Sequence, residues 1–173
     1  MTDPSIPEMY TKRVIVLGCG NILFGDDGFG PEVIAHLERH YTIPENTYVM
    51  NAGISAREIL FPILLDDQRP ELIIIIDAVD AGRTQGEIFE IPVEDIPENK
   101  IDDFSMHQLP TSNLLKELQD LCKVEVVIIA VQVESIPEMV KPGLSKSLIE
   151  ALPETCEMIM KNIIASNEKN KNT

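Results

Sequence analysis

Positive charge is scarce in this chain of 173 residues, where 14 Lys and Arg stand against 29 Asp and Glu and leave a formal charge of −15. Nucleic acids and anionic membrane surfaces are bound through clustered cations, so this balance argues against both as partners. Cysteine is equally sparse. Cys19, Cys122 and Cys156 are odd in number, far apart and without a Cys-x-x-Cys pair, which excludes a disulfide framework or a thiolate zinc site and leaves Cys122 and Cys156 as buried reduced thiols. No apolar run approaches the roughly 20 residues that span a bilayer. Met1 to Met9 lacks the basic-then-apolar pattern of an export signal, which points to the cytoplasm. No internal repeat is visible.

Several catalytic and nucleotide motifs are missing too. The strand-turn-helix around Gly18-Cys19-Gly20 begins like a dinucleotide fingerprint, but Leu23 stands where the third glycine belongs, and Asp26 and Asp27 would repel a pyrophosphate at the helix start. There is no Gly-x4-Gly-Lys-Ser/Thr loop, and Ser105, Ser112 and Ser135 lack a Gly-x-Ser-x-Gly elbow. A nucleotide is therefore not expected.

With 44% apolar and 25% charged residues, the chain suits one globular α/β domain, 1–173, with a core over 12–165 and flexible ends at 1–11 and 166–173. Short β-branched segments mark strands at Arg13 to Leu17, Thr47 to Met50, Leu72 to Ile76, Glu87 to Ile91 and Val124 to Val131. The third and fifth are apolar on both faces, as central parallel strands must be. Helical periodicity covers Pro31 to Tyr41, Ala56 to Leu65 and Leu114 to Leu121, then Leu144 to Ile164 with Pro153 marking a kink or a fresh start. The alternation predicts a three-layer sandwich: a mostly parallel twisted sheet of about five strands with helices on both faces. Glu87 to Ile91 follows the third strand too closely for a crossover helix and is expected to be an antiparallel edge strand.

In such sheets ligands gather beyond the carboxyl ends of the strands. Asp27 lies in the loop after the first strand, where helix capping and cation ligation are both open readings of the Asp26-Asp27 pair. Asp77 follows five aliphatic residues, an expensive place for a carboxylate unless something satisfies it, and Asp80 is its nearest rival. Of the 3 histidines, His36 and His40 lie four apart on a helix, but Leu37 replaces the glutamate of a zincin motif, so they read as boundary residues. His107 sits in an irregular stretch just before a helix. Together Asp27, Asp77 and His107 offer carboxylate oxygens and one imidazole nitrogen, a set suited to a borderline divalent cation such as nickel or zinc. Cys19 reads as a small packing residue behind the turn.

Taken in order, Gly18-x-Gly20-Asn21-x-Leu23-x-x-Asp26-Asp27-x-x-Gly30, Asp77-Ala78-Val79-Asp80, His107-Gln108 and, more loosely, Val131-Gln132-Val133-Glu134-Ser135 make the chain resemble the hydrogenase maturation endopeptidases. The resemblance runs from the Val14 strand to the Ile164 helix. It implies a peptide hydrolase of aspartyl type that removes a C-terminal extension from the large-subunit precursor of a [NiFe] hydrogenase. Asp27, Asp77 and His107 would be its metal-site and catalytic residues, and the nickel would be supplied by the precursor. A metallation checkpoint or chaperone that holds the large subunit without cutting it is the alternative. Many relatives carry aspartate where Asn51 stands here, and an amide cannot take a proton. Val133 replaces a frequent proline, with no functional loss attached. The Asn51-Ala52-Gly53 segment is similar to that of members serving deazaflavin-reducing hydrogenases of methanogens.

Overall fold

Leu72 to Ile76 is a run of side chains that favours extended backbone and has no polar face to offer water, so it can be satisfied only in the middle of a covered sheet. In the computed structural model, which describes residues 7–96 and 112–169, this run opens the central strand. The strands are β1 (Val14–Cys19), β2 (Thr47–Gly53), β3 (Leu72–Val79), β4 (Ile88–Ile91) and β5 (Glu125–Gln132), and the helices are α1 (Phe29–His40), α2 (Ala56–Leu65), α3 (Ser112–Asp120) and α4 (Lys146–Lys169). They build a five-stranded sheet in the order β2-β1-β3-β5-β4. β1 pairs in parallel with β2 and β3, β3 in parallel with β5, and β4 runs antiparallel to β5 at the edge.

Alternation of side chains sends the strands' residues to opposite faces. Val14, Val16, Ile74, Ile76, Ile129 and Val131 pack under α1 and α4 through Val33, Leu37, Leu148 and Ile159. Ile15, Leu17, Ile73, Ile75 and Ile128 pack under α2 and α3 through Leu60, Ile63, Leu115 and Leu118. β1 and β3 are buried along their whole length. At about 25 cal/mol per Å2 of apolar surface removed from water, these layers supply the main drive to fold. Among the described residues no helix is long and apolar enough to cross a membrane.

Several boundaries differ from the sequence expectation, β1 and β2 running on to Cys19 and Gly53. β3 does not stop at Ile76 but continues to Val79, because Ala78 and Val79 keep pairing with β5 and Asp77 lies opposite Ala130 inside the ladder. α4 runs unbroken through Pro153 to Lys169. It holds Ser166 buried and pairs Lys169 with Glu125 at 3.0 Å, so 166–169 are part of the fold rather than a frayed tail. At the other end Glu8–Thr11 forms a 3-10 turn with Met9 buried, and Tyr10 Oη donates to the Ile59 carbonyl at 3.2 Å, so residues 8–11 are also tied down.

Glycine sets how closely α1 sits on the sheet. A Cβ at Gly30 would fall on the Cys19 carbonyl oxygen and 2.7 Å from the Ile76 carbonyl oxygen, and one at Gly18 would fall on Gly30 itself. These neighbours are backbone and cannot turn aside, so the missing side chains let the start of α1 press against the ends of β1 and β3. Gly30→Ala is expected to lower stability by about 1–3 kcal/mol or more through overpacking. Urea unfolding checks this, and an unchanged midpoint would contradict the close-packing account.

Candidate functional site

Because α1 is held so tightly, the 3-10 turn before it, Gly25–Gly28, is pushed into the rim of the sheet with Asp26 and Asp27 both buried. Gly20 makes the necessary bend at φ +119°, where a Cβ would collide with the Asp27 carbonyl. The two adjacent carboxylates then part company. Asp26 accepts from the Glu134 amide at 2.9 Å, the Ser145 amide at 2.7 Å and the Ser145 hydroxyl at 3.0 Å, which ties the loop after β1 to the segment between β5 and α4. Asp27 turns the other way and accepts from the Asn21 amide at 2.9 Å through Oδ2. Neither caps α1, whose N-cap is Gly28 and has no side-chain capping bond, so the capping reading of the pair does not hold.

Asp77 stands on β3 in the row that points toward α2 and α3, beyond Ile73 and Ile75. It is 5% exposed, and its Oδ1 accepts from the Ala78 amide at 2.8 Å. Among the described residues its other oxygen meets no donor. Burial pushes its carboxyl up to about 7, the Ala78 amide opposes this, and the negative charge of Asp27 pushes the same way as burial. Asp27 and Asp77 are therefore electrostatic neighbours at the carboxyl end of the sheet. His107 lies outside the described residues, although the helix that follows it in sequence, α3, packs on the same face of the sheet as Asp77.

A buried carboxylate held beside a second one, with an oxygen that meets no donor among the described residues, can receive positive charge. Among the described residues no group of three or more His, Cys, Asp or Glu is placed to hold a metal ion. His36 and His40 stay on the outer part of α1 with ring centroids 4.4 Å apart, as expected of boundary residues. Burial, and then the charge of Asp77, raise the Cys19 thiol well above its usual range, so it stays protonated and packs behind the turn.

Asp80, the rival carboxylate, belongs to the next loop. Its Oδ1 accepts from the Gly82 amide at 3.3 Å and from Gln132 Nε2 at 3.0 Å. Gln132 is buried at the end of β5, and its Oε1 takes the Ala81 and Arg83 amides at 2.8 and 3.0 Å. The remaining Nε2 hydrogen goes to the Val133 carbonyl at 3.1 Å. Gln132 thus shapes the loop after β3, a role that sequence reasoning did not assign. The signal was there: like Asp77, it is a polar residue directly following an apolar run. Asn51 lies two residues before the end of β2, with Oδ1 accepting from the Gly53 amide at 2.9 Å. A cavity of about 250 Å3 opens beside it, lined by Gly20, Asn21, Ile22, Pro31, Asn51, Gly53 and Ile54.

Comparison with known proteins bears on what this rim does. The family model described as hydrogenase maturation protease matches residues 31–162, a span that includes Asp77 and His107 and begins just after Asp27. A Methanocaldococcus jannaschii relative assigned by name to hydrogenase maturation is 37% identical over 90% of this chain and 99% of its own. The coenzyme F420 hydrogenase subunit delta of Methanothermobacter thermautotrophicus is 33% identical over 89% of this chain and 96% of its own. The solved structure of the hydrogenase maturating endopeptidase HybD from Escherichia coli superposes with a TM-score of 0.72 at 23% identity, covering 89% of this chain and 93% of that one. That last likeness establishes the shared fold.

The Asp77 carboxyl has a measurable signature. Its unfolded value near 3.8 and folded value of about 7 mean that the native state holds the extra proton between them. Stability should therefore fall as pH rises from about 4 to about 7 and level off above. Asp77→Asn removes this component, so the variant should match the parent near pH 4 and exceed it by a few kcal/mol at pH 8 in urea unfolding. A difference that does not change with pH would contradict the buried-carboxyl account.

Proposed function

This chain belongs to the hydrogenase maturation protease family, and from that premise we propose that it cuts the C-terminal extension from the large-subunit precursor of a [NiFe] hydrogenase after nickel insertion, reading the nickel through Asp27, Asp77 and His107. The chain is a peptide hydrolase, as its relatives are. The observation that carries the finer reading is the state of Asp77, buried beside Asp27 with a single hydrogen bond among the described residues. Such a carboxylate is poorly satisfied by the fold alone and is relieved by a cation brought to it.

The nickel in this account is part of the substrate. Asp27 is braced by the Asn21 amide and Asp77 by its place in the β3–β5 ladder, so both oxygens are preset before the precursor arrives. Ligation of precursor-bound nickel by these groups and His107 lays the scissile peptide against a fixed rim and supplies catalysis by proximity. A metal-poor precursor lacks the anchor and stays uncut. Asp26 is spent on the Glu134 and Ser145 contacts, and Asn51 has no proton-accepting role to offer. Asp80 is held by Gln132 and Gly82. Activation of the attacking water accordingly rests on the nickel as Lewis acid and on the site carboxylates.

The M. thermautotrophicus relative is named as a subunit of a coenzyme F420 hydrogenase, which supports assigning the substrate to the deazaflavin-reducing branch. The same name also supports the alternative of a checkpoint that stays bound to the large subunit. Cys19, Cys122 and Cys156 are all free thiols, which fits work in the reducing cytoplasm.

Mass spectrometry of the precursor after incubation separates these readings, since a protease shortens it at one site and a checkpoint leaves its mass unchanged. The expected result is shortening of nickel-loaded precursor and no change in nickel-free precursor. Asp27→Asn and His107→Ala should each slow processing on the order of 100-fold or more while leaving the unfolding midpoint close to the parent's. Normal processing by both variants would refute the assignment.

A further inference from the structure

The cavity between the loop after β1 and the end of β2 has a composition that says what it takes. Its walls are the backbone of Gly20 and Gly53, the apolar side chains of Ile22, Pro31 and Ile54, and the amides of Asn21 and Asn51. Among the described residues no ionisable side chain lines it, in a chain with a formal charge of −15. Both asparagine oxygens are already used, Asn21 Oδ1 by the Leu23 amide at 3.0 Å and Asn51 Oδ1 by the Gly53 amide at 2.9 Å. The side-chain polar groups left to the cavity are therefore NH2 donors. The two walls are joined by the Gly20 amide donating to the Gly53 carbonyl at 2.9 Å, which fixes the shape.

We infer that this cavity is a substrate subsite, receiving an uncharged apolar side chain of the precursor next to the scissile bond, with Asn21 and Asn51 donating to main-chain carbonyl oxygens of the same segment. The inference rests on the proteolytic reading above and deepens it. Three features select a peptide segment over other occupants. Side-chain amide donors in an apolar wall without a charged side chain among the described residues match the carbonyls of an extended chain and penalise an entering charged group, which would lose water without gaining a counterion. The cavity adjoins the reacting groups, because the Asn21 that lines it also gives its backbone N–H to Asp27. The apolar rim also continues outward from it: Ile54 is 82% exposed, Ile22 50%, Leu23 45% and Val140 63%. Val140 is drawn against Leu23 by the Lys141 amide, which donates to the Leu23 carbonyl at 2.8 Å. Of these exposed apolar side chains, Ile22 and Ile54 belong to the cavity lining and Leu23 lies next to it in sequence, where a bound chain would cover them.

The test uses the full chain with nickel-loaded large-subunit precursor and follows cleavage by mass spectrometry. Ile54→Glu and Ile22→Glu change exposed positions and should leave the thermal midpoint close to the parent's. Each is expected to lower kcat/KM roughly tenfold or more, mainly through KM. Asn51→Leu, which removes a donor, should act in the same direction. Replacing the precursor residue on one side of the scissile bond by Lys should impair cleavage by the parent enzyme and restore cleavage by the Ile54→Glu enzyme. If the parent cuts the precursor and both Glu variants cut it with parental kcat and KM, the subsite assignment falls while the protease reading stands. If no Lys substitution on either side is rescued by Ile54→Glu, the assignment also falls. A parent enzyme that leaves the loaded precursor at full mass overturns the protease reading itself and the subsite with it.

Discussion

A negative charge on Asp77 is unfavourable where this fold puts it, at the covered end of a strand whose neighbours are aliphatic and a short way from Asp27. Much of the architecture bears on keeping that arrangement in place. The isoleucine run fixes β3 in the centre of the sheet, the β5 ladder extends it past Asp77, and the glycine contact between α1 and β1 presses the Asp27 turn into the same rim. Under the proposed function this charge is relieved by the cation that the substrate brings.

The surrounding polar residues are allotted with little overlap. Asp26 joins the first loop to the segment before α4, Gln132 shapes the loop after β3, and the asparagines hold their own turns through their oxygens. Each loop at the carboxyl end of the sheet is thus fixed by a side chain that takes no part in ligation. Asp27 and Asp77 are left as the acids to which the proposed function gives the ligation. This separation explains why two adjacent aspartates can serve unrelated purposes. Neighbouring side chains on a tight turn point in different directions, so one can face the protein while the other faces the rim.

Much of the fold was legible in the sequence because its signals are local. A both-faces-apolar run such as Leu72 to Ile76 admits only a central strand, and a short link before Ile88 forbids a crossover, so the parallel sheet with one antiparallel edge follows. The element ends were less legible. Nothing in Ala78-Val79 distinguishes strand from loop until β5 is alongside to pair with it, and Pro153 reads as a break although flanking contacts carry α4 straight through it. Asp27 and Asp77 stood out as carboxylates in apolar or glycine-rich settings, whereas the part played by Gln132 depends on loop amides some 50 residues away in the chain.

By itself the sequence determined the order of strands and helices, the acids at the ends of β1 and β3, and the absence of nucleotide, membrane-helix and disulfide signatures, all of which depend on residue type and spacing along the chain. Only the tertiary structure decided that Asp26 is a structural clamp while Asp27 faces Asp77, that burial shifts the Asp77 proton toward neutrality, and that an uncharged cavity opens beside them. Those properties arise from desolvation and from hydrogen bonds between segments distant in sequence. They have no local signature, because they exist only once the sheet brings the segments together.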